Sequence, residues 1–181
     1  MSFRSILLAF VLILGSMGAP LSATVGPGVV YHGSVNVIYR NVTVFAPAVA
    51  QTDNEGEVGV ISTITVTVQS NGTGRVFVDT LPLTDVDMQG SARLAVKVAT
   101  ALVKNDNRTH LDPTQCDYFF VVRTDASTIG GPSAGAVMTV ATIALLENWT
   151  LDNKTVMTGM IDPDASIGPI GGIPYKNEAP H

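Results

Sequence analysis

The sequence predicts a mixed α+β domain, with β-hairpins and with helices that pack on the sheet. The first observation is a strict alternation of apolar and polar side chains over residues 61–68, which is the period of a strand with one buried face. The second is the order of the segments, which runs strands, helix, strand, helix, strand. With 181 residues, of which 46% are apolar, the chain is long enough for one domain with a sizeable core.

The first half of the chain is predicted to form strands joined by turns. Residues 35–44 alternate loosely and predict a strand, and residues 51–57 are polar, with a turn at residues 53–56. In residues 61–68, Ile64, Val66 and Val68 alternate with threonines. The following Asn71-Gly72 pair is a strong hairpin signal. It predicts a β-hairpin in which residues 75–78 return beside residues 61–68.

The second half predicts two helices around a buried strand. Leu94, Val98, Ala101 and Leu102 recur at helical spacing and predict the first helix. Residues 105–113 predict a polar loop, residues 118–122 a short buried strand, and residues 124–131 another loop. Residues 134–146 are apolar almost all round, which predicts a helix buried on most sides. A strand near residues 156–161 and a segment rich in glycine and proline complete the chain.

Composition excludes several classes of function. The net charge of −5 and the absence of a basic stripe argue against a nucleic-acid partner. Cys116 is the one cysteine, so no intrachain disulfide forms, and its apolar neighbours favour a buried structural thiol over a nucleophile paired with His110. His32 and His110 lack metal-ligand spacing. We therefore expect neither a metal ion nor an organic cofactor.

Residues 1–23 have the features of a secretory signal peptide or of an N-terminal membrane anchor. Arg4 supplies a positive charge, residues 6–14 form an apolar core, and small residues follow. Residues 24–57 are predicted to be an N-terminal extension that carries the first strand or strands. Five Asn-x-Ser/Thr sequences agree with export, at Asn41, Asn71, Asn107, Asn148 and Asn153.

Ser133 lies between glycines, in the segment Gly131-Pro132-Ser133-Ala134-Gly135, at the junction of an apolar strand and an apolar helix. Glycines let the backbone turn tightly and approach a substrate. The N–H groups at a helix N-terminus can hold a developing oxyanion, so the backbone of residues 131–134 is the candidate oxyanion site. Two alternatives stay open: a helix N-cap serine, and the nucleophile of an α/β-hydrolase. The latter needs a downstream histidine, and only His181 follows.

Lys176 is the candidate base for Ser133. A lysine acts as a base only when it is neutral, which requires burial to lower its pKa. The preceding Ile173-Pro174-Tyr175 provides apolar surroundings, and the Thr158 hydroxyl can orient the amine. The alternative is a solvated surface lysine. Two nearby acids, Asp162 and Asp164, are expected to form a turn, with pairing of one of them to Lys176 as the alternative.

Three motifs, in order, resemble the proteolytic domain of Lon proteases. They are Gly-Pro-Ser-Ala-Gly, Met-Thr-Gly-Met-Ile and Ile-Gly-Pro-Ile-Gly-Gly-Ile-x-x-Lys. The resemblance runs from about residue 58 to residue 176, and it implies the Lon proteolytic-domain fold for residues 58–181. It also implies that Ser133 is the nucleophile, Lys176 the general base, and Thr158 the threonine that orients the lysine.

The chain departs from the Lon pattern in three respects. It contains no Gly-x-x-x-x-Gly-Lys-Ser/Thr loop of an ATPase module, and Gly130 stands where many family members have an aspartate. Together with the predicted export, the missing loop resembles the exported, ATP-independent Lon-like serine proteases of archaea. The chain also ends five residues after Lys176. We therefore expect a domain that is incomplete at its C-terminus, with Lys176 partly exposed.

The sequence thus predicts an exported, ATP-independent serine endopeptidase that cleaves polypeptides with a Ser-Lys dyad. Membrane anchoring through residues 1–23 and homo-oligomerisation stay open. The alternative from another class is a secreted binding or scaffold domain that keeps the fold without activity. A reagent that labels reactive serines would discriminate between the two.

Overall fold

A computed structural model describes residues 36–52, 56–84, 86–104 and 111–179. Its main sheet has four strands in the order β1-β2-β4-β3. They are β1 (Tyr39–Thr52), β2 (Gly56–Ser70), β3 (Val76–Thr84) and β4 (Cys116–Ile129). Helices α1 (Val86–Val103) and α2 (Gly135–Glu147) share one core with this sheet. The mixed α+β class predicted from the sequence is confirmed.

Several predictions concern residues outside the described part of the chain. These are the signal peptide or anchor at residues 1–23, the extension up to residue 35, the centre of the turn at residues 53–55, the loop at residues 105–110, and His32, Asn107, His110 and His181. They stay predictions.

Strands β1 and β2 form a long antiparallel hairpin, with a register that runs from Tyr39 opposite Gln69 to Thr52 opposite Gly56. Strand β1 therefore begins and ends later than the predicted residues 35–44. The alternation predicted in β2 is confirmed, because the apolar side chains at positions 64, 66 and 68 have no exposed surface. The threonines between them face the other side of the sheet.

The predicted hairpin between β2 and β3 is wrong, because β4 lies between these strands. Strand β4 pairs with β2 in antiparallel and with β3 in parallel orientation. Asn71 does adopt the left-handed conformation of a turn, with φ of 59°. However, the backbone amides of Thr73 and Arg75 donate to the Asp117 carboxylate, at 2.8 and 2.9 Å. The loop between β2 and β3 thus bonds to the start of β4, and β4 occupies the position between these two strands.

Strand β4 is the centre of the sheet and is longer than predicted. Its side chains at Cys116, Tyr118, Phe120 and Val122 are buried, as expected for the run at residues 118–122. The strand continues through residues 124–129, which the sequence predicted to be a loop because they are small and polar. Backbone pairing to the end of β3, resumed after an irregularity in register, explains the extension.

Helix α1 presents small residues to the core, which differs from the predicted stripe. Ala92, Ala95 and Ala99 have no exposed surface, whereas Leu102 is 52% exposed. Short side chains let α1 and α2 approach closely, and the two helices pack against each other. A stripe chosen by hydrophobicity favours leucine over alanine: it was right about Val98, which is buried, and wrong about Ala101 and Leu102, which are exposed.

Helix α2 is buried on nearly all sides, as predicted. Its two buried threonines satisfy their hydroxyls within the helix, since Thr139 donates to the carbonyl of Gly135 and Thr142 to that of Met138. At its C-terminal end, the Arg40 guanidinium of β1 donates to the carbonyls of Leu145 and Leu146, at 2.7 and 3.0 Å. A cation at this end also complements the helix dipole.

The segment after α2 returns along the sheet to a short helix. Strands β5 (Met160–Ile161) and β6 (Ile167–Gly168) form a small antiparallel pair, so the strand predicted at residues 156–161 is much shorter. Helix α3 (Ile173–Asn177) follows and packs on β1 and β2. Among the described residues, no helix combines the length and the apolarity needed to cross a bilayer.

Candidate active site

Ser133 lies in a single 3-10 turn, Pro132–Ala134, between the end of β4 and the start of α2. Gly131 precedes the turn with φ of 86°, a conformation that favours glycine. Pro132 suits the first helical position, where its fixed φ is pre-organised. The Ser133 side chain is half-buried at the N-terminal end of α2. The position inferred from the sequence, a serine at a strand-to-helix junction, is therefore the one that the structure has.

The carbonyl oxygen of Ser133 fixes the nucleophile segment to residues 158–159. It accepts a hydrogen bond from the Gly159 amide at 2.7 Å and another from the Thr158 hydroxyl at 3.2 Å. In return, the Ala136 amide donates to the Gly159 carbonyl at 2.9 Å. The approach leaves no room for a side chain at Gly135, since a Cβ there would lie 2.8 Å from a methyl group of Ile161. Packing therefore requires a glycine at position 135, two residues after Ser133.

Lys176 is held in α3 and is only 6% exposed. Its Nζ lies 3.5 Å from the Thr158 hydroxyl oxygen, which can accept from the amine while donating to the Ser133 carbonyl. Burial lowers the pKa of the lysine, because the charged form loses its hydration. The expectation that Lys176 would be partly exposed is wrong, since β1, β2 and the Ser133 segment surround it.

Ser133 and Lys176 line the same cleft, which has a volume of about 230 Å³. Its other walls are Val49 and Glu57 from the β1–β2 hairpin and the Gly171-Gly172 pair before α3. The structure therefore brings together the predicted nucleophile, the predicted base and, through one hydrogen bond, the predicted orienting threonine. Val49 and Glu57 were missed by sequence reasoning, because they are far from the motifs and carry no local signal.

The backbone of residues 131–134 borders the serine, as predicted for an oxyanion site. Pro132 has no N–H, so Gly131, Ser133 and Ala134 are the residues of this set that can donate from their amides. The Gly135 amide is already bonded to the Pro132 carbonyl, and that of Ala136 to Gly159. These two amides at the start of α2 are therefore already occupied.

The remaining candidates do not line the cleft that Ser133 and Lys176 share. Cys116 is fully buried, and burial raises the pKa of its thiol to about 11, which fits the predicted structural role. Asp162 and Asp164 form the predicted turn, in which the Ser166 hydroxyl donates to both carboxylates, at 3.4 and 2.6 Å. The described residues contain no group of three metal-ligating side chains.

The sequence of this chain matches a known protein family. The family model of the Lon protease (S16) C-terminal proteolytic domain matches residues 33–181. The chain belongs to this family. The Lon resemblance inferred from the three motifs is confirmed. The matched region begins before β1, so the whole four-stranded sheet falls within it.

Three curated Lon proteases are 32–40% identical to this chain over the stretches that align. That of Desulfatibacillum aliphaticivorans is 34% identical over 93 residues, which cover 50% of this chain and 11% of the relative. That of Methanosarcina barkeri is 32% identical over 94 residues, 52% of this chain and 12% of the relative. That of Phenylobacterium zucineum is 40% identical over 62 residues, which cover 34% of this chain and 8% of the relative. The match thus spans only a small fraction of these Lon proteases.

Proposed function

We propose that this protein is an exported, ATP-independent serine endopeptidase that uses Ser133 as nucleophile and Lys176 as general base. The observation that carries the proposal is a buried lysine with a lowered pKa in the same cleft as a serine at a helix N-terminus. A depressed pKa gives a larger fraction of neutral amine near neutral pH, and only the neutral amine can accept a proton.

The proposed reaction proceeds in two halves. Neutral Lys176 takes the hydroxyl proton of Ser133 as its Oγ attacks the peptide carbonyl, and backbone amides near Ser133 stabilise the oxyanion. The lysine then gives the proton to the leaving amine, and the C–N bond breaks to leave an acyl-enzyme. Water, deprotonated by the same amine, hydrolyses the ester and restores Ser133. Thr158 orients the amine through the hydrogen bond described above.

Two substitutions test the dyad, with cleavage of a quenched fluorogenic peptide as the measurement. Ser133→Ala should abolish cleavage and labelling by a fluorophosphonate while the melting temperature is kept. Lys176→Arg should be as inactive as Lys176→Ala, because a guanidinium stays protonated. The wild-type rate should rise with pH as Lys176 loses its proton. An active Arg variant would remove Lys176 from the mechanism, and a wild-type serine that resists the probe would favour a non-catalytic binding domain.

Export and independence from ATP are supported by the sequence. Residues 1–23 have the pattern of a signal peptide or anchor, and the sequon asparagines at positions 41, 71, 148 and 153 are all exposed. Fusion of residues 1–35 to a leaderless alkaline phosphatase should make the reporter active outside the cytoplasm. Magnesium-ATP should leave the peptidase rate unchanged, since the sequence contains no phosphate-binding loop. Stimulation by ATP would contradict that part of the proposal.

A further inference from the structure

A second cleft, with a volume of about 340 Å³, lies next to the catalytic serine. One of its walls is Pro132, the residue before Ser133, and another is the Met160-Ile161 strand, which directly follows the Gly159 that binds the Ser133 carbonyl. Two adjacent residues, Pro132 and Ser133, thus line the two clefts. A polypeptide held at Ser133 would place a side chain close to the scissile bond at the mouth of this second cleft.

The walls of the second cleft combine apolar surface with two carboxylates. Leu94, Pro132, Met160 and Ile161 supply the apolar part. Asp87, in the first turn of α1, and Asp162, after β5, supply the acids. Lysine and arginine have the complementary form, because an apolar stem carries a cationic head that seeks water or a carboxylate. A purely aliphatic side chain would fill the apolar part but form no ion pair with Asp87 or with Asp162, whose carboxylate also accepts a 3.4 Å hydrogen bond from the Ser166 hydroxyl.

The charges around Ser133 favour the same kind of substrate. The residues that line the two clefts include three acids, Glu57, Asp87 and Asp162, and one base, Lys176. Lys176, the one base, lines the first cleft and does not line the second, where both charged residues are acids. A cleft lined by one sign of charge attracts substrates of the opposite sign.

We propose that Asp87 and Asp162 make the second cleft a subsite for a lysine or arginine adjacent to the scissile bond. This inference rests on the proposed peptidase function, and it adds the substrate class: basic polypeptide segments. Asp87 and Asp162 are specificity-determining residues that do not touch the reacting atoms. Their effect is to lower the cost of binding a cation, and it should weaken as salt screens the charges.

The test compares two peptides that differ only by lysine or glutamine at the residue next to the cleaved bond. Wild type should prefer the lysine peptide by about 10-fold in kcat/KM, and Asp87→Asn and Asp162→Asn should each reduce that preference by about 3-fold or more. The ratio within one enzyme is insensitive to a general loss of activity. Asp125→Asn is the matched control, since Asp125 is an exposed acid that lines a different cleft with Arg123.

A binding measurement separates failure of the subsite from failure of the peptidase proposal. Ser133→Ala protein is titrated with the same two peptides, labelled for fluorescence anisotropy, at low and at high salt. Preference for the lysine peptide that Asp162→Asn removes supports the subsite even if wild type cleaves nothing. Equal binding and equal cleavage of both peptides, or a preference unchanged in both aspartate variants, overturns the proposal.

Discussion

Gly59 of β2 is the residue on which the position of the Lys176 helix depends most directly. A Cβ at this position would lie 2.8 Å from the carbonyl carbon of Tyr175 and 3.0 Å from the amide nitrogen of Ala179, with the Tyr175 oxygen closer still. Ordinary contact begins at 3.4 Å, so Gly59→Ala must move α3 by at least 0.6 Å, the difference between 3.4 Å and 2.8 Å. The atoms in the way are backbone, so no side-chain rotation can relieve the contact.

We expect Gly59→Ala to lower kcat/KM by about 100-fold, because a displacement of the order of 1 Å in a catalytic group has an effect of that size. The overpacking should cost about 1–3 kcal/mol. For a chain of this length, this corresponds to a melting temperature lower by roughly 2–12 °C. Far-UV circular dichroism should stay unchanged, since alanine is accepted in a strand and α3 is only five residues long.

Gly90→Ala is the matched control for this prediction. A Cβ at Gly90, on α1, meets no atom within 4 Å. Gly90 lines the second cleft, so this variant is a control for stability alone, and it should gain about 0.5–1 kcal/mol because alanine favours the helix. If Gly59→Ala kept more than half of the wild-type activity, the reasoning that the β2 backbone positions Lys176 would be refuted.

Two further predictions concern the buried ionisable groups. Lys176→Met should stabilise the inactive protein at neutral pH by about 1 kcal/mol, because it removes the amine whose charged form burial disfavours. Because the pKa of Lys176 is lowered in the folded protein, the unfolded chain binds more protons at pH values between that lowered pKa and about 10.5. Over this pH window, the free energy of unfolding of wild type should therefore rise with pH. The stability advantage of Lys176→Met, measured by urea titration, should shrink over the same window. Cys116→Ala should retain activity and lose about 1 kcal/mol, and native Cys116 should resist iodoacetamide at pH 8, since burial raises its pKa to about 11. Rapid native alkylation would show that β4 opens.

The sequence was most informative where the identity and spacing of neighbouring residues alone predict an element or a site. The alternation in β2, the buried helix α2 and the serine before it all follow from neighbouring residues. The order of the strands could not be predicted, because Asn71-Gly72 specifies a turn but not which strand lies beside it. The hydrogen bonds from Thr73 and Arg75 to Asp117 join residues more than 40 positions apart. The position of Glu57 in the cleft also depends on pairing between strands, in this case β1 with β2.

The contact that buries Lys176 could not be predicted, because it joins elements that are distant in the sequence. The apolar residues before the lysine predicted dry surroundings, yet Ile173 and Tyr175 are themselves exposed. What covers the amine is the hairpin, where Gly59 lies opposite Val49 and allows α3 to approach. A single glycine in a strand carries no such information in the sequence, because many glycines in strands meet nothing.

Because β4 lies between β2 and β3, the sheet next to Ser133 can be completed only after β4 has been synthesised. Ser133 follows β4 directly, and Lys176 comes 43 residues later (176 − 133). Pairing of β4 with both neighbours brings together residues distant in sequence, and such contacts form late relative to local ones. A nascent chain would therefore carry its β1–β2 hairpin well before it carried a working dyad. For the proposed peptidase, activity would then appear only after almost the whole domain has been synthesised.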